Sequence, residues 1–245
     1  MKKVKKKSNI IVLNKFLALN AEISRREADK EIKSGRVRVN EKIIKTPHTR
    51  VNIDTDKVLI KDKTVIAIKN PRKYYLLNKP SQTVSSTKSD SSGLPPITSF
   101  VKSKSRLFPV GRLDIDSEGL IILTNDGDVA YKLSHPKHQI EKEYLVVIEG
   151  SISENKLSSL EKGVLLSGKL TKPCRIDVLR QTKSGGTLKF ILKEGKHRQV
   201  RRMCSSVDLH VIGLRRVRIG SIKIGNLKTG KYRKLSDEEI KTLSI

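Results

Sequence analysis

The stretch 108–127, FPVGRLDIDSEGLIILTNDG, holds the residues best placed to do chemistry. Asp114 sits on a turn opened by Gly111, ahead of an apolar run that closes in Asn125-Asp126-Gly127. A run of that kind reads as a buried strand, so the loop before it can deliver a carboxylate to the rim of a sheet. Turns favour Asp for their own geometry, and a lone Asp in this setting is more often structural than reactive. Asp116 and Glu118 lie close in sequence, but neighbouring turn residues rarely converge on one site. Phosphodiester cleavage or base excision would call for a metal cluster or a second carboxylate pair. Farther on, 193–218 carries eight Lys or Arg against two acids, which suits a phosphate backbone. A metal centre has little support: His135 and His138 flank Pro136, no third ligand is near, and Cys174 and Cys204 fall in unrelated segments. Neither a Walker-type phosphate loop nor a glycine-rich dinucleotide fingerprint is present.

The elements that must position these residues read as α+β. Strand-like runs fall at 74–78, 120–124, 144–149, 175–179, 187–192 and 211–218, with Gly185-Gly186 expected as a turn between two of them. A helix is expected over 153–161, with Leu157 and Leu160 on one face and Gly163 ending it. Ser236 and Glu239 form a capping box that opens a short terminal helix, and the Ser-rich 81–92 reads as a loop. Near the N-terminus Phe16, Leu17 and Leu19 mark a short helix. Ser24 and Glu27 cap a second, which carries Ala28 and Ile32 and stops at Gly35. Alternation over 36–39 then gives a strand, and Asn40-Glu41 turns the chain into Ile43-Ile44. A Lys-rich linker over 62–73 predicts a small body over 10–66 and a larger one over 72–245, preceded by a basic disordered arm over 1–9.

Composition narrows the partner. The chain has 245 residues, 36% of them hydrophobic and 31% charged, which is enough for a proper core with a wet surface. Lys and Arg total 52 against 25 acids, a formal net charge of +27. Self-repulsion on that scale points to a polyanionic partner, and nucleic acid fits better than a membrane because no basic amphipathic helix stands out. Nine Tyr and Phe and no Trp disfavour a stacking platform for single strands. No apolar run approaches a membrane span, and the basic start at 1–7 is not followed by the apolar stretch of a secretory leader. Two cysteines are too few for a disulfide framework and predict reduced thiols in the cytoplasm.

Two resemblances sharpen this reading. Leu13-Asn14-Lys15-Phe16-Leu17, Ser24-Arg25-Arg26-Glu27-Ala28 and Gly35-Arg36-Val37-Arg38-Val39-Asn40 resemble the small helix-helix-strand RNA-binding module named after ribosomal protein S4. The resemblance implies that Arg25, Arg26 and Lys30, with Lys33 and Arg36 nearby, face folded RNA. From Gly111-Arg112-Leu113-Asp114 through Leu123-Thr124-Asn125-Asp126-Gly127, the chain resembles the small- and large-subunit ribosomal RNA pseudouridine synthases. The same likeness covers 74–80 (YYLLNKP), Glu141-Lys142-Glu143-Tyr144, the stretch 194–203 (EGKHRQVRRM) and 214–220 (LRRVRIG). It implies a mixed, mainly antiparallel-sheet catalytic domain after the S4-like one.

The same resemblance implies an isomerisation of uridine to pseudouridine by base flipping. Asp114 would be the essential carboxylate and Tyr144 would stack on the base. Arg201 would pair with Asp114, Arg112 would fill the vacated helix position, Leu214 would pack below the base, and Lys79 would lie at the pocket rim. Arg198 and Arg202 would contact RNA. No cofactor or metal is implied. The expected partner is ribosomal RNA, 23S favoured over 16S from 107–110 (LFPV), free or in a pre-ribosomal particle, acted on by a monomer. One position departs from the pattern: Gln82 stands where the family usually has Gly, two residues after Lys-Pro. The rival reading is a non-catalytic RNA-binding ribosome-assembly factor.

Overall fold

The structure is a computed structural model and describes residues 9–66, 71–91 and 93–243. Most of the basic arm, the centre of the Lys-rich linker and Ser92 of the serine loop lie outside the described residues. The chain divides into two compact units, 1–71 and 72–245.

In the first unit, helices Leu13–Asn20 and Arg25–Lys33 pack over a four-stranded antiparallel sheet. Its strand order is Lys42–Ile43, Val37–Val39, Val58–Ile60, Lys63–Val65. A separate pair joins Ile10–Val12 to Arg50–Asn52. The second helix starts where the capping box predicts: the Ser24 hydroxyl accepts the Glu27 N–H. Ala28 and Ile32 face inward with Leu13, Phe16, Leu17, Val37 and Val58, while Arg25, Arg26, Lys30 and Lys33 stay on the exposed side.

The second unit is built on a nine-stranded sheet. Its main path runs Arg175–Thr182, Gly185–Leu192, Lys142–Glu149, His210–Ile219, Glu118–Thr124, Tyr74–Lys79, Tyr232–Lys234. Every pairing in this sheet is antiparallel except that of His210–Ile219 with Glu118–Thr124. Glu118–Thr124 and Tyr74–Lys79 are buried on both faces, because alternate residues feed two cores. Tyr75, Leu77, Ile121, Leu123, Tyr144 and Leu214 face one core, which helices Glu154–Lys162 and Gln199–Ser205 help to fill. Tyr74, Leu76, Leu120, Ile122 and Ile219 face the other, with helices Gly127–Ser134 and Asp237–Leu243.

The Asn125-Asp126 stretch serves this architecture. Asp126 caps helix Gly127–Ser134, and its other oxygen accepts from Tyr74 at 2.7 Å and pairs with Arg72 at 2.9 Å. Burial, reinforced by Asp126, pushes the Tyr74 hydroxyl up to about 12. Gly185-Gly186 is not the turn. Lys183-Ser184 turns the chain, and both glycines already lie in a strand. A Cβ on Gly185 would stand 2.2 Å from the Ile148 carbonyl oxygen, and one on Gly186 2.3 Å from that of Arg180, so close backbone approach is what excludes a side chain there.

Gly119 has the same role nearer the site. It lies at φ +105°, and a Cβ would stand 2.2 Å from the Arg216 carbonyl oxygen, at the parallel pairing of Arg216 with Gly119. Gly119→Ala is expected to cost about 3 kcal/mol or more in urea unfolding, from backbone strain together with a wedge between two central strands. A wild-type midpoint would contradict this close approach.

Candidate active site

Asp114 is half-buried in the loop between strands Phe108–Val110 and Glu118–Thr124. That loop is tied down from below by Lys79, whose side chain is fully buried. Its ammonium donates to the carbonyls of Ser117 at 2.7 Å, Pro80 at 3.0 Å, Asp114 at 3.1 Å and Ile115 at 3.3 Å. Burial lowers this amine to about 8, so at neutral pH it remains an ammonium with three N–H groups for its four carbonyls. The expected place for Lys79 at the pocket rim is therefore corrected: it lies under the Asp114 loop, because four inward-turned carbonyls need a buried donor. A second tie comes from the segment after Pro80. The Ser85 hydroxyl donates to the Leu113 carbonyl at 2.7 Å and accepts the Leu113 N–H at 3.0 Å, while the Gln82 N–H donates to Ile115 at 2.9 Å. Gln82 is left-handed, φ +56°, so it takes the conformation glycine accepts at no cost.

The arginines of the third motif also differ from expectation. Arg201 pairs with Asp116, not Asp114: its Nε lies 3.3 Å from the Asp116 carboxylate. Its other nitrogens donate to the carbonyls of Asp116 at 2.9 Å and Val211 at 3.0 Å. Arg198 grips the same carboxylate with two bonds, of 3.1 and 3.0 Å. Burial raises the Asp116 carboxyl, but Arg198 and Arg201 outweigh that and hold it below the usual carboxylate range. Arg198, expected at RNA, is half-exposed and lies in a two-bond fork with Asp116 that ties helix Gln199–Ser205 to the Asp114 loop. Arg202 stays on the outside and donates to the Ser167 hydroxyl at 2.6 Å. In the small unit, Arg36 is half-exposed but bonded to Glu31 at 2.6 Å, so its guanidinium is also engaged within the protein.

Above the sheet, these loops enclose a cleft of about 120 Å³. Asp114, Tyr144, Leu214, Arg112 and Arg198 all line it, so it gathers most of the expected residues from four separate stretches of chain. Strand register explains why. Tyr144 is opposite Arg216 and Phe190, and Val146 is opposite Leu214, so residues 142, 144, 214 and 216 share a face. The intervening acids point away: Glu141 and Glu143 pair with Arg218 at 3.3 and 2.9 Å. Arg112 is exposed, and no partner for its guanidinium is found among the described residues.

Lys142, Glu194, Gln199 and Arg216 are cleft residues that sequence reasoning missed. The period-two alternation of their strands is a signal that could have found Lys142 and Arg216. Glu194 and Gln199 are buried and bonded to each other at 2.6 Å, and they shape the loop between them. Among the described residues, no group of three or more His, Cys, Asp or Glu is gathered in a way that could hold a metal, and no helix is long and apolar enough to cross a membrane.

Asp114, on its doubly tied loop, lines this cleft together with Tyr144 and Leu214. The comparisons name the class. The RNA pseudouridylate synthase family profile matches residues 73–206, and the S4 domain profile matches residues 13–57. The chain is 35% identical over 237 residues to ribosomal large subunit pseudouridine synthase B of Bacillus subtilis (strain 168), covering 94% of each protein. It is 34% identical over 233 residues to ribosomal small subunit pseudouridine synthase A of Escherichia coli (strain K12), covering 93% of this chain and 97% of that one. A solved structure described as a pseudouridylate synthase superimposes with a TM-score of 0.68 at 32% identity, covering 94% of this chain and 98% of the other. The chain therefore belongs to the RNA pseudouridylate synthase family, isomerases that act on RNA, and it carries an S4 domain.

Proposed function

We propose that this protein converts one uridine, or a few, in ribosomal RNA to pseudouridine, with Asp114 as the reacting carboxylate. The observation that carries the reading is the position of Asp114: on a loop held by Lys79, lining a cleft of about 120 Å³ together with Tyr144 and Leu214. The target must leave its helix, since its glycosidic bond is inaccessible while stacked. Arg112, exposed at the cleft edge, fills the space it leaves. Tyr144 and Leu214 hold the ring. The bond from C1′ to N1 breaks, the ring turns, C5 bonds to C1′, the proton on C5 is lost and N1 takes one up. Asp114 assists bond cleavage either by adding to the sugar as a nucleophile or by acting as a base. Arg201 acts at one remove, fixing the loop through Asp116.

The body over 10–66 serves as the RNA anchor and that over 72–245 as the catalytic domain. Large-subunit RNA is the favoured substrate on the strength of 107–110, although relatives with either subunit in their names match this chain. The protein works as a cytoplasmic monomer, without a cofactor, on free RNA or a pre-ribosomal particle. Mapping pseudouridine across both large ribosomal RNAs, from cells with and without the gene, tests the reading. A site lost from 23S RNA is expected. An unchanged map would favour the assembly-factor alternative.

Arg25, Arg26 and Lys30 are exposed on the second helix and suited to phosphate contacts. Replacing all three with Gln is expected to weaken RNA binding and to flatten its salt dependence by about 0.7–0.9 per lost contact. The modified uridine should stay the same. An unchanged slope in a salt titration would move the anchor elsewhere.

A further inference from the structure

Arg216 is the largest fully buried side chain among the described residues, at 1% exposure, and it lines the cleft. Its Nε donates to the Leu120 carbonyl at 2.8 Å, and one Nη reaches the Arg112 carbonyl at 3.4 Å. The other, Nη2, is buried with no partner. Among the described residues, no carboxylate lies within ion-pairing distance of this guanidinium. Lys142 is its neighbour on the same sheet face. Its ammonium donates to the Ile140 carbonyl at 3.0 Å, and burial together with the Arg216 charge lowers it to about 8.

A fully buried cation and a half-buried one facing one cleft, neither paired with an acid, are costly unless something that enters the cleft brings negative charge. The acids that line it do not meet the need. Glu194 is engaged by Gln199, the Lys172 N–H and Lys196, and Asp114 stands outside ion-pairing distance. If the reaction is the one proposed above, on which this inference rests, the anion is the substrate's own. When the C1′–N1 bond breaks, its electron pair stays on N1, and the uracil carries a negative charge shared with its O2 and O4.

We propose that Arg216, with Lys142 beside it, is the cationic seat for the displaced uracil: it donates to a ring carbonyl oxygen and holds the base as an anion while it turns. Tyr144 lies directly across from Arg216 in the sheet and Leu214 is two residues away on the same face, so a ring resting on them presents its edge to both cations. The charge is released when C5 bonds to C1′, the C5 proton departs and N1 is protonated. A fixed donor aimed at developing charge in a desolvated site is the arrangement that accelerates such steps most.

The test compares single-turnover rates on two RNAs, one with uridine at the target and one with 5-fluorouridine. Fluorine withdraws electrons and stabilises the ring anion, so it substitutes in part for the missing cation. The readout is the rate at which the target nucleoside disappears from nuclease digests, because this requires C1′–N1 cleavage whatever follows. Arg216→Met and Lys142→Met should each slow the uridine reaction about 100-fold or more. That loss should shrink to about 10-fold or less on the fluorinated RNA, and Arg216→Lys should recover part of the rate. RNA affinity and melting, measured on the same samples, should stay close to wild type for Lys142→Met, which keeps the test open if the Arg216 variants melt early. Equal losses on both RNAs, or full activity, would overturn the seat and leave the proposed function standing. A wild-type protein that forms no pseudouridine would overturn the function itself.

Discussion

Asp114→Asn is expected to give a folded protein that binds ribosomal RNA as well as the wild type and forms no pseudouridine, with turnover down by about 1,000-fold or more. The change keeps size and shape and removes only the ionisable oxygen. It leaves the loop's supports in place, because Lys79 holds the Asp114 backbone carbonyl and not its carboxylate. Binding rests on a chain with 52 Lys and Arg, and loss of one acid slightly favours a polyanion. Asp116→Asn provides the contrast. It leaves the Asp114 carboxylate intact and frees Arg198 and Arg201 from their shared carboxylate, so stability and turnover should fall together. Pseudouridine formation, thermal melting and RNA affinity are measured on each purified variant. Substantial turnover by a well-folded Asp114→Asn protein would remove Asp114 from the chemistry.

The second large effect belongs to Lys79→Met, which matches the length of the side chain and deletes its ammonium. Four carbonyls of Pro80, Asp114, Ile115 and Ser117 lose their donor, and the Ser117 bond is buried. Bonds to a charged donor contribute about 1.5–3 kcal/mol each, and methionine recovers some burial, so a net loss of about 2–4 kcal/mol is expected in urea unfolding. For a unit of this size that is a fall of about 5–15 °C in melting temperature. Turnover at a temperature where the variant remains folded should still drop by about 100-fold if Asp114 reacts, since its displacement by about 1 Å is enough. A variant with the wild-type melting point would show that the loop does not depend on this lysine.

Local signals in the chain are strong where the determining contacts are local. Ser24 and Glu27 place the start of the second helix, and the Ser236–Glu239 capping box forms with both of its bonds, at 3.2 and 2.9 Å. The strand-like runs at 144–149, 187–192 and 211–218 became Lys142–Glu149, Gly185–Leu192 and His210–Ile219, whose ends extend beyond the runs. The glycine pair at 185–186 misled, because a glycine needed for close backbone approach looks, in a sequence, like a glycine needed for a turn.

The sequence by itself determined the α+β class, the reactive-looking carboxylate on its loop and the basic character that suits a polyanionic partner. Each depends on residue type, spacing within a few positions, or total charge. Tertiary structure alone decided which charges meet. Arg198 finds Asp116 across 82 positions, and Lys79 finds the carbonyls of Asp114 and Ser117 across 35 and 38. Nothing near any of these residues favours one partner over the next, and Asp114 and Asp116 differ only by the way the turn points them. In the run Leu214-Arg215-Arg216-Val217-Arg218, register with Lys142–Glu149 turns Arg216 toward the cleft and gives Arg218 to Glu141 and Glu143. A strand's two faces are written in its sequence, but which face meets a cavity is settled only when its neighbours in the sheet take their places.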